Sequence, residues 1–230
     1  MSDLPPATEK REFVRAMFDR IAPRYDLMNR IMSLGMDRSW RAEAIDAVGV
    51  EPGALVVDVA SGTGDLAELA RSKGARVVAA DLALGMLCQA RSRSCGAHQV
   101  QADAVALPLR DGCADVVTCG FALRNFADLD AVFRECARLL RSGGRVAFVE
   151  FDEPRAAVLR WGHGVHLRRV VPRLGAWFSD ARAYRYLPAS LHYLPPEGEL
   201  FARLERAGFA HVEKRRRMLG AIQLLFAERS

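Results

Sequence analysis

The chain has 230 residues, half of them hydrophobic, and a formal net charge of +5, which suits one domain with a sizeable core, or one domain with an appendage. The five cysteines (Cys88, Cys95, Cys113, Cys119 and Cys136) are odd in number and lack metal-ligand spacing, so buried reduced thiols, no metal and a cytoplasmic address are expected. No stretch reads as a signal peptide or a membrane span, and the one basic cluster, Lys214 to Arg217, has no interleaved aromatics, which argues against nucleic acid.

In chain order, residues 1–9 are expected to be disordered, and residues 10–47 predict one or two amphipathic helices. Strands near 55–60, 76–81, 98–102, 115–121 and 144–151 then alternate with helices near 65–73, 83–93 and 128–141, the pattern of a parallel sheet. Ser142-Gly143-Gly144 reads as a helix stop and turn before the fifth strand. Residues 154–180 predict a basic helix, and Pro195-Pro196 opens another that ends at Gly208. Phe209–Arg217 and Leu219–Glu228 alternate as two closing strands joined by a tight turn.

The chemistry concentrates in Val56-Val57-Asp58-Val59-Ala60-Ser61-Gly62-Thr63-Gly64-Asp65, an apolar strand, a small-residue turn and an acidic helix start. Asp81 and Asp103 follow at the ends of the next two strands. A glycine turn lets backbone approach a ligand, and an acid at the next strand end takes ribose hydroxyls, so a nucleoside is expected. A dinucleotide would need a third glycine and a helix N-terminus free for pyrophosphate, whereas Asp65 stands there. S-adenosylmethionine has a ribose, an adenine and a sulfonium but no phosphate, and is favoured over NAD. The plainer alternative is a tight turn with Asp65 capping a helix, which leaves Asp81 and Asp103 unexplained. Met86 reads equally as an adenine cover or as core.

The chain resembles the ubiquinone/menaquinone biosynthesis C-methyltransferases from about Phe18 to Phe226. The carriers are Tyr25-Asp26-Leu27-Met28-Asn29, Ser33 to Trp40, Ser61 to Asp65, Ala122-Leu123-Arg124-Asn125 and Tyr184-Arg185-Tyr186-Leu187. Departures from the family pattern stand at Asp37, Ala60, Gly120, Arg141 to Gly144 and Glu150 to Asp152. The resemblance implies a Rossmann-like class I methyltransferase fold. Its sheet would be seven-stranded and mostly parallel, with a C-terminal antiparallel hairpin. Residues 1–47 would form a lid, and 48–230 the methyltransferase domain with a helical insertion about 154–195. It implies transfer of a methyl group from S-adenosylmethionine to a ring carbon of a polyprenyl quinol such as demethylmenaquinol.

On the cofactor side the resemblance and the motifs together place Asp58, Gly62, Thr63, Gly64, Asp81, Leu82, Asp103, Ala104 and Gly120. Asp103 with the Ala104 N–H would read the adenine edge. On the acceptor side the resemblance places Arg124 and Asn125 with Tyr25, Arg124 lending fixed charge to a phenolate and an ordered water acting as base. Asp26, Asn29, Asp37, Arg38 and Trp40 would belong to the lid, or to ordinary core. Tyr186 and His192 are candidates to line the acceptor pocket. Arg155 to Phe178 suits a membrane surface, or a helix packed on the sheet with a solvated basic face. Peripheral contact at the inner face of a membrane, and a homodimer, stay open. So do two other functions, methylation of a soluble aromatic metabolite and a scaffold that binds the cofactor without catalysis.

Overall fold

The computed structural model describes residues 5–6, 8–33, 35–93, 96–152, 186 and 189–230. Two helices, α1 (Lys10–Ser33) and α2 (Asp37–Ala47), precede the sheet. β1 (Leu55–Val59), α3 (Asp65–Ser72), β2 (Arg76–Asp81), α4 (Leu84–Ser92), β3 (His98–Gln101), β4 (Ala114–Gly120), α5 (Leu129–Leu139) and β5 (Leu140–Phe151) follow. The described chain closes with α6 (Glu197–Arg206), β6 (Phe209–Arg217) and β7 (Ile222–Arg229).

The seven strands lie in the order β3-β2-β1-β4-β5-β7-β6. The first five are parallel, with Val56 beside both Val77 and Val116. β7 returns antiparallel, pairing Leu225 with Phe148, and β6 pairs antiparallel with β7. The central strands are runs of β-branched residues because both of their faces are covered. Alternate residues serve opposite faces. Val57, Val117 and Phe148 pack with Val132 and Phe133 of α5 and Leu200 and Leu204 of α6. Val56, Val116 and Val149 pack with Trp40 and Ile45 of α2 and Leu66 and Ala70 of α3. A third cluster joins Met17 and Ile21 of α1 to Ala83, Met86 and Tyr186.

Several expectations are corrected. Ser142-Gly143-Gly144 is not a turn ahead of β5, because the strand already starts at Leu140. The register slips between Ala114 and Val116 instead, and Gly143 takes a φ of +71°. A Cβ at Gly144 would fall 2.9 Å from the Arg141 carbonyl oxygen, so glycine lets the strand pass. Cys119 and Cys136 are buried, but Cys113 is half-buried and Cys88 is exposed on α4. Burial pushes the Cys136 thiol up to about 12, as suits an inert core residue. Part of the N-terminal stretch expected to be disordered is ordered, with the Pro5 carbonyl accepting from the Tyr193 hydroxyl at 3.1 Å. Cys95, the helix expected over 154–180, and Tyr184, Arg185 and Leu187 lie outside the described residues.

The basic run on β6 is tied inward. Lys214 lies 2.8 Å from Asp152, Arg216 pairs with Glu197, and Arg217 reaches Glu43 on α2. At the tip of the β6–β7 hairpin, Met218 and Leu219 both adopt positive φ and stand exposed.

Candidate functional site

Strand order reverses between β1 and β4, the place where open α/β sheets bind ligands at their carboxyl ends. A cavity of ≈250 Å³ lies there. Its floor comes from strand ends and the loops that follow them: Val59, Ala60 and Gly62, then Asp81 to Ala83, then Ala102 to Val105, then Gly120 to Ala122 with Asn125 and Phe126. Its roof is one face of α1, where Arg11, Val14, Arg15, Phe18 and Tyr25 recur at three-, four- and seven-residue steps. Ala60 and Phe121, at the ends of two strands, hold positive φ without being glycine, at +52° and +58°. Backbone strain of this kind collects at ligand sites.

Asp81 ties the glycine turn to the next loop. Its carboxylate accepts from the Gly62 N–H and the Ala83 N–H, each at 2.8 Å. Burial pushes its carboxyl up to about 6, against the pull of those two amides. Each oxygen keeps accepting capacity for a further donor. Asp103 accepts from Arg11 Nε at 2.5 Å and from the Val105 N–H at 3.3 Å, so helix α1 reaches this acid too. Gly62 has a φ of +55°, and a Cβ built there would meet nothing within 4 Å, so its open side faces free space. Met86 is buried and lines the cavity, so it is core and cavity wall at once.

A small annex of ≈30 Å³ adjoins the cavity and shares Tyr25, Ala60, Gly62 and Gly120 with it. Asp58, Ser61, Thr63, Asp65 and Arg41 complete its walls. Asp58 is 1 % exposed; Oδ1 accepts from Thr118 Oγ1 at 2.7 Å, and Oδ2 has no partner among the described residues. Burial pushes its carboxyl up to about 7. Ser61 Oγ is likewise buried and unpartnered.

Helix α1 is fastened down beyond the annex. Asp26 accepts from Thr63 Oγ1 at 2.5 Å and from Arg93 at 2.9 Å, and Arg93 also binds Asp65 at 2.9 Å. Asp19 takes the Gly85 N–H at 2.8 Å, and buried Lys10 donates to the Phe126 carbonyl at 2.8 Å above the Tyr193 ring. Asp65 therefore does not confront the main cavity as a bare charge, because Arg93 and Arg41 offset it. Repulsion of a pyrophosphate by Asp65 is the weaker part of the case against a dinucleotide, and the missing third glycine is the stronger.

Arg124 is placed differently from the expectation. It is 3 % exposed, it does not line the cavity, and its guanidinium pairs with Glu150, itself fully buried. Arg124 also donates to Ser190 Oγ at 3.1 Å and to the Phe121 carbonyl at 2.9 Å. Its charge is thus neutralised inside the protein, and the pair holds the short helical turn Leu123–Asn125. Asn125 does line the cavity, with Oδ1 accepting from the Tyr186 hydroxyl at 3.3 Å. Tyr25 lines both cavity and annex, and burial raises its hydroxyl above the usual phenol range. Tyr186 is buried beneath Asn125, whereas His192 is exposed. Asn29, Asp37 and Arg38 line a separate polar cavity beside α2, and Trp40 is core. Arg11, Arg15, Phe18 and Arg41 escaped the sequence reading, although the first three share one helical spacing.

The profile of the ubiE/COQ5 methyltransferase family matches residues 6–228. The chain belongs to the ubiE/COQ5 methyltransferase family. It is similar to a demethylmenaquinone methyltransferase of Roseiflexus castenholzii, 41 % identical over 95 % of this chain and 94 % of that one. It is also similar to the ubiquinone/menaquinone biosynthesis C-methyltransferase UbiE of Syntrophotalea carbinolica, 37 % identical over 93 % and 92 %. Among solved structures, a possible histamine N-methyltransferase of Thermotoga maritima shares the fold with a TM-score of 0.65 at 16 % identity, over 94 % of this chain and all of the other. The architecture is thus that of a class I methyltransferase. This methyltransferase uses S-adenosylmethionine, and the site fits that cofactor. Asp58 Oδ2 and Ser61 Oγ are buried polar atoms that await a partner, and Gly62 leaves room for close approach.

Proposed function

We propose that this methyltransferase moves the methyl group of S-adenosylmethionine onto a ring carbon of a quinol in quinone biosynthesis, such as demethylmenaquinol. The observation that carries the reading is the double character of the cavity. Asp81 and Asp103 stand at the strand ends, and beside them Phe18, Phe121 and Phe126 form an aromatic wall with Tyr25 and Asn125 as its polar groups. The names of the relatives support a quinol acceptor.

The bound cofactor supplies an electrophilic methyl group. In this proposal Asp81 accepts from ribose hydroxyls beside Leu82, and Asp103 with the Ala104 N–H reads the adenine edge. Asp58, Thr63 and the backbone of Gly62 serve the methionine end. Gly64 shapes the turn with its N–H on the Ser61 carbonyl, and Gly120 lines the cavity where Leu66 packs against its bare Cα at the end of β4. On the acceptor side, a ring carbon becomes nucleophilic as its neighbouring hydroxyl gives up a proton. Tyr25 holds its own proton at neutral pH, since burial raises it, so it donates a hydrogen bond to that ring oxygen. The hydroxyl proton passes to a water ordered by Tyr25 and Asn125. Once the ring carbon has taken the methyl group, its own hydrogen leaves to that water as a proton and the ring oxygen is reprotonated, which restores the quinol. Arg124 acts through position, fixing the turn that carries Asn125. Residues 1–47 act as a lid whose helix α1 excludes water and orients the ring, which supplies much of the rate.

A polyprenyl quinol resides in lipid, so contact with the cytoplasmic face of a membrane belongs to the proposal. No described helix is long and apolar enough to cross a membrane. Mass spectrometry of quinones from cells lacking this protein tests the reading. The expected result is accumulation of a quinone one methylene lighter. An unchanged quinone pool, with a soluble aromatic losing its methyl group instead, overturns it.

A further inference from the structure

We infer that Arg41 receives the carboxylate at the amino-acid end of the cofactor, with Ser61 beside it and Asp58 taking the ammonium. The inference rests on S-adenosylmethionine as the cofactor and extends it to an element outside the sheet, helix α2.

The annex is built from polar groups that the protein does not satisfy by itself. Asp58 Oδ2 and Ser61 Oγ are both buried and unpartnered among the described residues. Leaving such groups unmet is costly, so a site keeps them where a ligand completes them. Among the described residues Arg41 is the one cation on the annex wall, and it is 5 % exposed. Its guanidinium lies 4.9 Å from the centre of the Phe121 ring, which also borders the main cavity. Asp37, one helical turn earlier, pairs with one Nη, and Asp65 stands 3.4 Å from the other. These two acids orient the planar fork, and five N–H donors leave capacity for a third oxygen acceptor.

Charge decides what that acceptor is. Among the described residues the annex is lined by two carboxylates, Asp58 and Asp65, and one guanidinium, Arg41. S-adenosylmethionine carries a sulfonium, an ammonium and one carboxylate, the inverse pattern. An amino-acid end placed here meets an anion at its ammonium and a cation at its carboxylate, and a bare nucleoside meets neither.

Calorimetry with three ligands tests this on the full chain: S-adenosylmethionine, its decarboxylated analogue, and 5′-methylthioadenosine, which lacks the amino-acid end. The wild type should bind S-adenosylmethionine about 10- to 100-fold more tightly than the decarboxylated form, the range of a charge-assisted hydrogen bond. Arg41→Gln should abolish or invert that preference while leaving 5′-methylthioadenosine affinity unchanged. Arg41→Lys, which keeps the charge without the fork, should retain part of it. Equal wild-type affinity for the first two ligands overturns the inference, and that comparison needs no variant. So does an Arg41→Gln variant that weakens all three ligands alike, because Arg41 would then only tie helices together. A wild type that binds none of the three overturns the cofactor reading as well, which separates the two failures.

Discussion

Glu150→Ala would strip Arg124, behind the cavity wall, of its buried counter-ion. Glu150 is fully buried and accepts from the Arg124 guanidinium, from the Phe151 N–H at 2.8 Å and from the Arg124 N–H at 3.3 Å. Without it, the guanidinium keeps the Phe121 carbonyl, Ser190 and the Phe151 ring as partners among the described residues, and no anion. Breaking one half of a buried pair costs about 3–5 kcal/mol. At this chain length each kcal/mol moves the melting midpoint by about 2–4 °C, so a fall of roughly 6–20 °C is expected. Arg124→Ala should fall as far, because it strands Glu150. The double change Arg124→Ala with Glu150→Ala removes both charges and should lose less stability than the two single losses added together, with a coupling of about 0.5–3 kcal/mol. Thermal melts of the four proteins without ligand form the cycle. Single variants that melt with the wild type, or strictly additive losses, would refute the claim that this pair holds the turn carrying Asn125.

Asp81→Ala should weaken S-adenosylmethionine and adenosine alike by about 1–3 kcal/mol in calorimetry, since both ligands present the ribose diol; an unchanged adenosine affinity would place Asp81 away from the sugar. Asp58 gives a pH signature of opposite signs. Burial raises its carboxyl to about 7, above an unfolded carboxylate, with Asp65 adding to the rise and Thr118 and Arg41 opposing it. Its contribution to stability without ligand is therefore complete below the unfolded value of about 3.9 and is lost as pH rises through about 7. Cofactor affinity should run the other way and climb as pH rises from about 5 toward 7, because only the carboxylate pairs with an ammonium. Affinity that stays flat over that range in titration calorimetry would remove Asp58 from the cofactor site.

Local pattern made the centre of the fold legible. The run Leu55 to Val59, the turn through Gly62 and Gly64, and the run Arg76 to Asp81 lie within one strand-helix-strand unit, where periodicity and turn chemistry speak directly. Asp58 and Asp81 followed from the same unit, and Asp103 from the end of the next strand. What stayed hidden depends on partners far along the chain. Arg124 read as a free cation because Glu150 lies 26 residues away and joins it only through the β4–β5 pairing. Asp65 read as a bare charge because Arg93 meets it from the end of α4, 28 residues on. Arg41 looked like any helical arginine, since nothing local says that α2 leans over the annex. Cys88 was misread because the pattern of α4 is mixed and does not declare which face is buried.

The basic run on β6 also bears on solubility. β6 ends the sheet, with β7 as its one strand neighbour in the described order. The outer backbone groups of such a strand are a template for another chain, and nine residues make it long enough to recruit one. A second copy docking there would set Lys214 to Arg217 within about 5 Å of like charges and would disturb the acids that now hold them. The four cations of this run thus act as a guard rail, keeping an open sheet from polymerising edge to edge.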